Sequence, residues 1–220
     1  REVRDRMLSV IAHVELFDRG NTALPDWKAT TDAARAAAPQ QVLGAAPFVS
    51  AQVLAARGDE MRGALLRGIV PAEEASVTPL AAQMKDSAFA KLVPGEWNIV
   101  LGVELARALG VHTGDKVTVI APSGQVTPAG VVPRLKQMTV VGTFNSGHYE
   151  YDSALVMMHQ DDAAKIFRLE GPSGVRLKLR DLHQARGVAD QLAGSLTGDL
   201  LIRDWTRQNR TWFAAVQLEK

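Results

Sequence analysis

The chain of 220 residues contains no cysteine. Disulfides, thiolate metal sites and cysteine nucleophiles are therefore excluded together. Nor is there an excess of charge of either sign: 25 basic and 24 acidic residues leave a formal charge of +1. No global field points to nucleic acid or an anionic surface, so no nucleic-acid partner is expected. Apolar runs long enough to span a membrane are absent as well, since a spanning helix needs about 18–20 consecutive apolar residues. The opening "REVRDRMLSV" lacks the basic, apolar and small-residue order of a signal peptide. Aromatics are scarce at 5%, which leaves little material for a stacking platform.

Catalytic signatures are missing too. His13, His112, His148, His159 and His183 are scattered, with no two at metal-ligand spacing. There is no G-x-S-x-G elbow, phosphate-binding loop or dinucleotide fingerprint. Glu73-Glu74 and Asp161-Asp162 are adjacent carboxylates. The latter pair opens a predicted helix, where it offsets the positive end of the helix dipole. Adjacency alone does not converge two carboxylates on one substrate. Asn209-Arg210-Thr211 fits the glycosylation sequon by chance within an amphipathic segment. The expectation is a chain with no catalytic residue, no metal and no cofactor.

What is present is ample material for a core: 46% of residues are hydrophobic and 22% charged. Val3–Phe17 reads as a helical start running into a strand, and Leu24–Ala38 as a helix stopped by Pro39. "APFVSAQVLAARG" and "EMRGALLRGIVP" read as strands paired through Gly58-Asp59, with helix as an alternative because alanine is abundant. Glu73–Ala90 suggests two short helical turns. "NIVLG" and "DKVTVIAP" read as strands flanking a short helix, "VELARALG", that Gly110 caps. In "GHYEYD" alternation would place Tyr149 and Tyr151 on one face. "SALVMMH" is a strand, "QDDAAKIFRL" a helix, and a strand–helix–strand–helix series from Gly174 completes the chain. The pattern is a mixed α/β fold of the α+β kind.

One stretch resists this reading. Between the strands at Val119 and Phe144 lie about fifteen residues, where hairpin loops usually run to roughly 2–5. They carry Pro122, Pro128, Pro133, Gly124, Gly130 and the apolar cluster "PAGVVP". The prolines lower the entropy of the free segment. Val126, Val131 and Val132 add apolar area around the turn Thr127-Pro128-Ala129-Gly130, and Arg134 and Lys136 bring positive charge to its base. A mobile insertion is one reading; a partner-docking element is the other. Burying about 300 Å² of such a tip would contribute on the order of 7 kcal/mol before association costs.

"RMLSVIAHVEL", "GVELARALGVHTGDKVTVIAPSGQVTPAGVVPRLKQMTVVGTFNSGHYEYDSALVMM" and "DWTRQNRTWFAAVQLEK" resemble, in that order, the periplasmic domain of LolC/LolE-type lipoprotein-releasing permeases of the MacB-like ABC transporter class. The resemblance implies two lobes. A porter-like α/β layer lobe would use residues 1–75 and 153–220, and an inserted β-rich lobe, 76–152, would bear a protruding β-hairpin, the hook, over 122–137. It places the domain between two transmembrane helices on the periplasmic side of the inner membrane. It implies docking of the chaperone LolA, a second permease subunit (a LolC/LolE pair or a homodimer), the cytoplasmic ATPase LolD and a lipoprotein substrate. Hook residues would be Pro122, Val126, Thr127, Pro128, Ala129, Gly130, Val131, Val132 and Pro133, with a basic patch of Arg134 and Lys136. Two departures stand out: Ala129 replaces a larger apolar tip residue, and Leu135 and Thr118 stand where the patch would be polar or basic. A MacB-type exporter's force-transmitting domain is the alternative, and a hydrolase or sugar-binding module the remote one.

Overall fold

The computed structural model describes residues 13–19, 23–24, 26–78, 80, 84–196 and 200–204. The expected helical start before His13, the final helix from Thr206 with Trp212, Trp205 and the sequon at Asn209 lie outside the described residues.

Strands form where β-branched and aliphatic residues alternate with polar ones, or run continuously where both faces are buried, as in Asn98–Gly102 and Leu155–His159. They are β1 (Val14–Asp18), β2 (Val42–Arg57), β3 (Glu60–Ile69), β4 (Asn98–Gly102), β5 (Lys116–Thr127), β6 (Gly130–Phe144), β7 (Leu155–His159), β8 (Gly174–Leu179) and β9 (Leu200–Asp204). The helices are α1 (Trp27–Ala37), α2 (Pro71–Glu74), α3 (Val103–Leu109), α4 (Tyr149–Asp152), α5 (Gln160–Phe167) and α6 (Ala185–Ser195), with 3-10 turns over Lys85–Lys91 and Leu182–Gln184. The alanine-rich β2 and β3 are strands, joined at Gly58 with φ +57° and in register from Arg57 opposite Glu60 to Phe48 opposite Ile69. Helix propensity loses here because the pattern buries every second residue, Val49, Val53 and Ala55 against Ala64 and Leu66.

Pairing runs β2–β3–β7–β4–β6–β5 and back to β2, a closed ring of six strands. Its core is one set of alternating positions, including Ile99, Leu101, Val117, Val119, Met138, Val140, Val156 and Met158. Leu105 and Leu109 of α3 and Ala163 and Ile166 of α5 join the same cluster. The other face of β4, β6 and β7 gives Val100, Phe144 and Met157 to a second core, under Leu80, Met84, Phe89 and Leu92. A third core lies where the first half of β2 leaves the ring and pairs with β8, which continues to β1 and β9. There Leu16, Val42, Val175 and Leu177 meet Ala34 of α1 and Val188 and Leu192 of α6. The ring takes β2, β3 and β7 from one side of the boundaries expected at 75 and 152, and β4, β5 and β6 from the other.

A polar seam joins these cores. Arg176 of β8 and Glu74 of α2 are 1% and 0% exposed, and the Arg176 guanidinium donates to Oε1 of Glu74. Arg176 lies in register between Glu15 and Ala46 and sits 5.9 Å from the Phe48 ring. Beside it Arg67 titrates at about 10, pushed down first by burial and then by the Arg176 charge, with Glu15, Glu74 and Tyr151 opposing. Burial likewise raises the Tyr151 hydroxyl.

Removing one partner of a buried ion pair strands the other charge. Arg176→Leu or Glu74→Leu alone should cost roughly 3–5 kcal/mol in urea unfolding, and the double variant should recover most of it. His13 supplies a pH dependence. Its Nδ1 accepts the Leu179 N–H at 2.9 Å, and burial, with Lys178 nearby, lowers its pKa from 6.5. Protonation thus favours the unfolded chain. Stability should fall as pH drops below 6.5, and stop falling on this account once pH is below the folded value. Melting curves of parent and His13→Gln between pH 7.5 and about 5 should diverge in that direction, the variant being flatter.

Candidate functional site

The stretch between Val119 and Phe144 is a hairpin whose strands continue through most of the segment that the sequence reads as a long loop. Ala121 pairs with Arg134, then Gln125, Val126 and Thr127 pair with Val132, Val131 and Gly130. Between these blocks β5 contributes Pro122–Gly124 against Pro133 alone. Proline has no N–H to give to a ladder, and gathering Pro122 and Pro133 into one irregularity spares the rest. Pro128 and Ala129 form the turn, Gly130 takes φ +117°, and Thr127 Oγ1 donates to the Gly130 carbonyl at 2.8 Å.

Beyond the ring this hairpin has no third strand among the described residues. β5 meets β2 only through Thr118–Ile120, and β6 meets β4 only from Thr139 onward. Pro122, Pro128, Ala129 and Pro133 are exposed, as are Val132 at 51% and Leu135 at 61%. Such apolar exposure in a stiffened, protruding element suits partner contact. Val126 and Val131 are placed by their backbone pairing alone.

At the root the two expected patch cations lie on one face of β6, by alternation, and both contact the body of the domain. Arg134 is half-buried, and its Nη1 donates to the Ile166 carbonyl at 3.2 Å, at the C-terminal end of α5, where a cation is favourable. Lys136 remains exposed, with Nζ 4.8 Å from the centre of the Trp97 ring. Trp97 has φ +55°, rare outside glycine. Asp162 stabilises it: Oδ1 accepts Gly95 N–H at 2.8 Å and Oδ2 accepts Trp97 N–H at 3.1 Å. Leu135 points to the other face, opposite Ile120. Sequence reasoning missed Asp162 and Trp97 as parts of this root. It placed Asp161 and Asp162 in a first helical turn, which they occupy, but nothing in a linear reading ties Asp162 to a turn 65 residues earlier.

Elsewhere the expected tyrosine face does not form. Residues 149–152 are a helical turn, so Tyr149 is 70% exposed while Tyr151 is buried. Helical geometry turns positions two apart to different sides. His159 is committed to capping α5, its Nδ1 accepting Asp161 N–H at 3.0 Å. A cleft of about 650 Å³ lined by Val70, Ser87, Phe89, Leu92, Val93 and Pro94 has His159 on its wall. Among the described residues no three His, Cys, Asp or Glu side chains gather as a metal site, and no helix is long and apolar enough to cross a membrane.

Residues 2–195 match the family model of the MacB-like periplasmic core domain. The chain belongs to this family. Along its full length it is 45% identical to the "Lipoprotein-releasing system transmembrane protein LolC" of Neisseria meningitidis serogroup B (strain ATCC BAA-335 / MC58), covering 53% of that protein. It is 41% identical to the LolC of Xylella fastidiosa (strain Temecula1 / ATCC 700964), covering 52%. The chain thus spans about half the length of the curated relatives it matches. Two solved structures share the fold. One is the extracellular domain of the noncanonic ABC-type transporter YknZ from Gram-positive bacteria, with TM-score 0.53 and 11% identity over 87% of this chain and 99% of that one. The other is the periplasmic region of MacB from Actinobacillus actinomycetemcomitans, with TM-score 0.52 and 13% identity over 94% of each chain. The LolC/LolE-type resemblance and the mixed α/β class read from the sequence are borne out.

In this member of the MacB-like family the hairpin turn rests on Gly130, where an added Cβ would meet no atom within 4 Å. Gly130→Ala therefore introduces backbone strain without a clash, roughly 1–3 kcal/mol confined to the tip. Hydrogen exchange should quicken at residues 125–132 while the ring strands keep their protection.

Proposed function

We propose that this chain is the periplasmic domain of a lipoprotein-releasing permease of the inner membrane, and that its hairpin docks the soluble lipoprotein chaperone LolA. The observation that carries this reading is the hairpin itself, an exposed, proline-stiffened apolar element that leaves the ring with no covering strand among the described residues. The 45% identity to a LolC protein supports the assignment. The contact residues would be Pro122, Val126, Thr127, Pro128, Ala129, Gly130, Val131, Val132 and Pro133, with Lys136 adding charge at the root. Arg134 serves this role indirectly, through α5. Ala129 gives a small tip, which shifts contact toward Val132 and the exposed Leu135.

The domain carries out no chemistry in this reading. ATP hydrolysis belongs to a separate cytoplasmic subunit, LolD, and a second permease subunit completes the transporter. Residues 1–75 with 153–220 form the porter-like lobe that follows the transmembrane helices, and residues 76–152 form the lobe that presents the hairpin. The border between them passes through the shared ring rather than a linker, which suits transmission of movement. Lipoproteins leaving the inner membrane would pass to a chaperone already held by the hairpin.

Likeness to the periplasmic region of MacB favours a second reading, a force-transmitting domain of an exporter. Calorimetry with LolA separates the two. The parent chain should bind, and Pro128→Asp/Val132→Asp should weaken binding at least tenfold. Equal affinity of parent and variant would overturn the hairpin assignment. Co-purification with a periplasmic adaptor hexamer, and no LolA binding, would favour the exporter.

A further inference from the structure

We propose that helix α5 is a brace that sets the direction of the hairpin, and that Trp97 and Asp162 are positioning residues for partner docking. This rests on the docking reading above and adds the part of the fold that aims the hairpin.

A two-stranded ribbon standing beyond its sheet has no lateral support and tends to swing at its root. Here the root is gripped twice by one helix. Asp162, in the first turn of α5, holds the Gly95–Trp97 turn, and the Trp97 ring lies beneath Lys136. One turn further along, the carbonyl of Ile166 accepts from Arg134. Residues four apart on a helix are separated by about 6 Å along its axis. Residues two apart on a strand, such as Arg134 and Lys136, are separated by about 6.6 Å. Two neighbouring same-face positions of β6 are thus tied to one helix, Arg134 directly and Lys136 by way of Trp97, so the hairpin is held at two points rather than one.

The helix is itself firmly placed. It follows β7 without an intervening residue, and Ala163 and Ile166 are buried in the ring core. At Gly68 of β3 an added Cβ would come within 2.8 Å of the Ala163 Cβ and 3.1 Å of the Gln160 Cα, so α5 sits where only glycine allows it. Support therefore runs from β3 through α5 and Trp97 to the hairpin, and Trp97 and Asp162 lie outside the hairpin they aim.

The absence of cysteine makes the test direct. Nitroxide labels at Ala129→Cys, on the turn, and Arg107→Cys, at an exposed position of α3, report the hairpin's direction as a distance distribution. The parent should give one narrow distribution. Trp97→Leu should broaden it at least twofold and weaken LolA binding about tenfold, while Trp97→Phe, which keeps a ring beneath Lys136, should restore both. An unchanged distribution in Trp97→Leu overturns the brace, and a broadened one with unchanged affinity overturns the positioning role. If Trp97→Leu does not fold, Lys136→Met against Lys136→Arg gives the same comparison by distance alone, and equal widths overturn the brace. Should Pro128→Asp/Val132→Asp bind LolA as the parent does, the docking reading fails while the distance measurement still decides the brace.

Discussion

Every backbone N–H and C=O of a buried strand needs a partner, and the sixteen-residue β2 finds its partners in three other strands. Its first half pairs with β8, and its second half lies between β3 and β5. This one strand closes the six-membered ring and carries the chain into the smaller sheet. Closure leaves the ring strands without free edges along their paired lengths. Among the described residues, the distal part of β5 and β6 leaves the ring as a two-stranded ribbon. Its exposed apolar residues stand out against an otherwise satisfied sheet.

Passing from one sheet to the next has a cost that the polar seam absorbs. Where β2 changes partners, apolar packing gives way to Arg176, Glu74, Arg67 and Glu15. A buried pair of this kind contributes little net stability over an apolar replacement, but mispaired alternatives leave a bare charge behind. The seam therefore fixes how the smaller sheet docks against the ring more than how tightly it does so.

In the proposed reading the hairpin and its root divide contact from aim. Exposed Val132, Leu135 and the prolines supply surface with little entropy left to lose. Arg134 and Lys136, read first as free positive charge, are partly used inward, on the end of α5 and on Trp97. In the proposed docking the hairpin would present mostly apolar surface, with Lys136 exposed at its root. Specificity would come from shape and direction before long-range attraction.

Much of the fold was legible in the sequence because its signals are local. Short runs rich in Val, Ile, Leu and Met marked β4 to β8, Gly58 and Gly110 take the positive φ their turns need, and "QDDAAKIF" has the charge order of a helix start. The cluster "TPAGVVP" marked the hairpin as unusual before any geometry was known. Less legible was the continuation of β5 and β6 through Pro122 and Pro133, because proline argues locally against a strand and only pairing across the bulge overrides it. Tyr149 and Tyr151 parted for a like reason, since a four-residue stretch cannot declare its own period. The closed ring, the Arg176–Glu74 pair and the grip of Asp162 on Trp97 join residues far apart along the chain. The sequence by itself determined the elements, their turns and the presence of a stiff apolar projection, all set by backbone preferences over a few residues. Tertiary structure alone decided what that projection is anchored to and where it points, because those depend on contacts between segments that share no local signal.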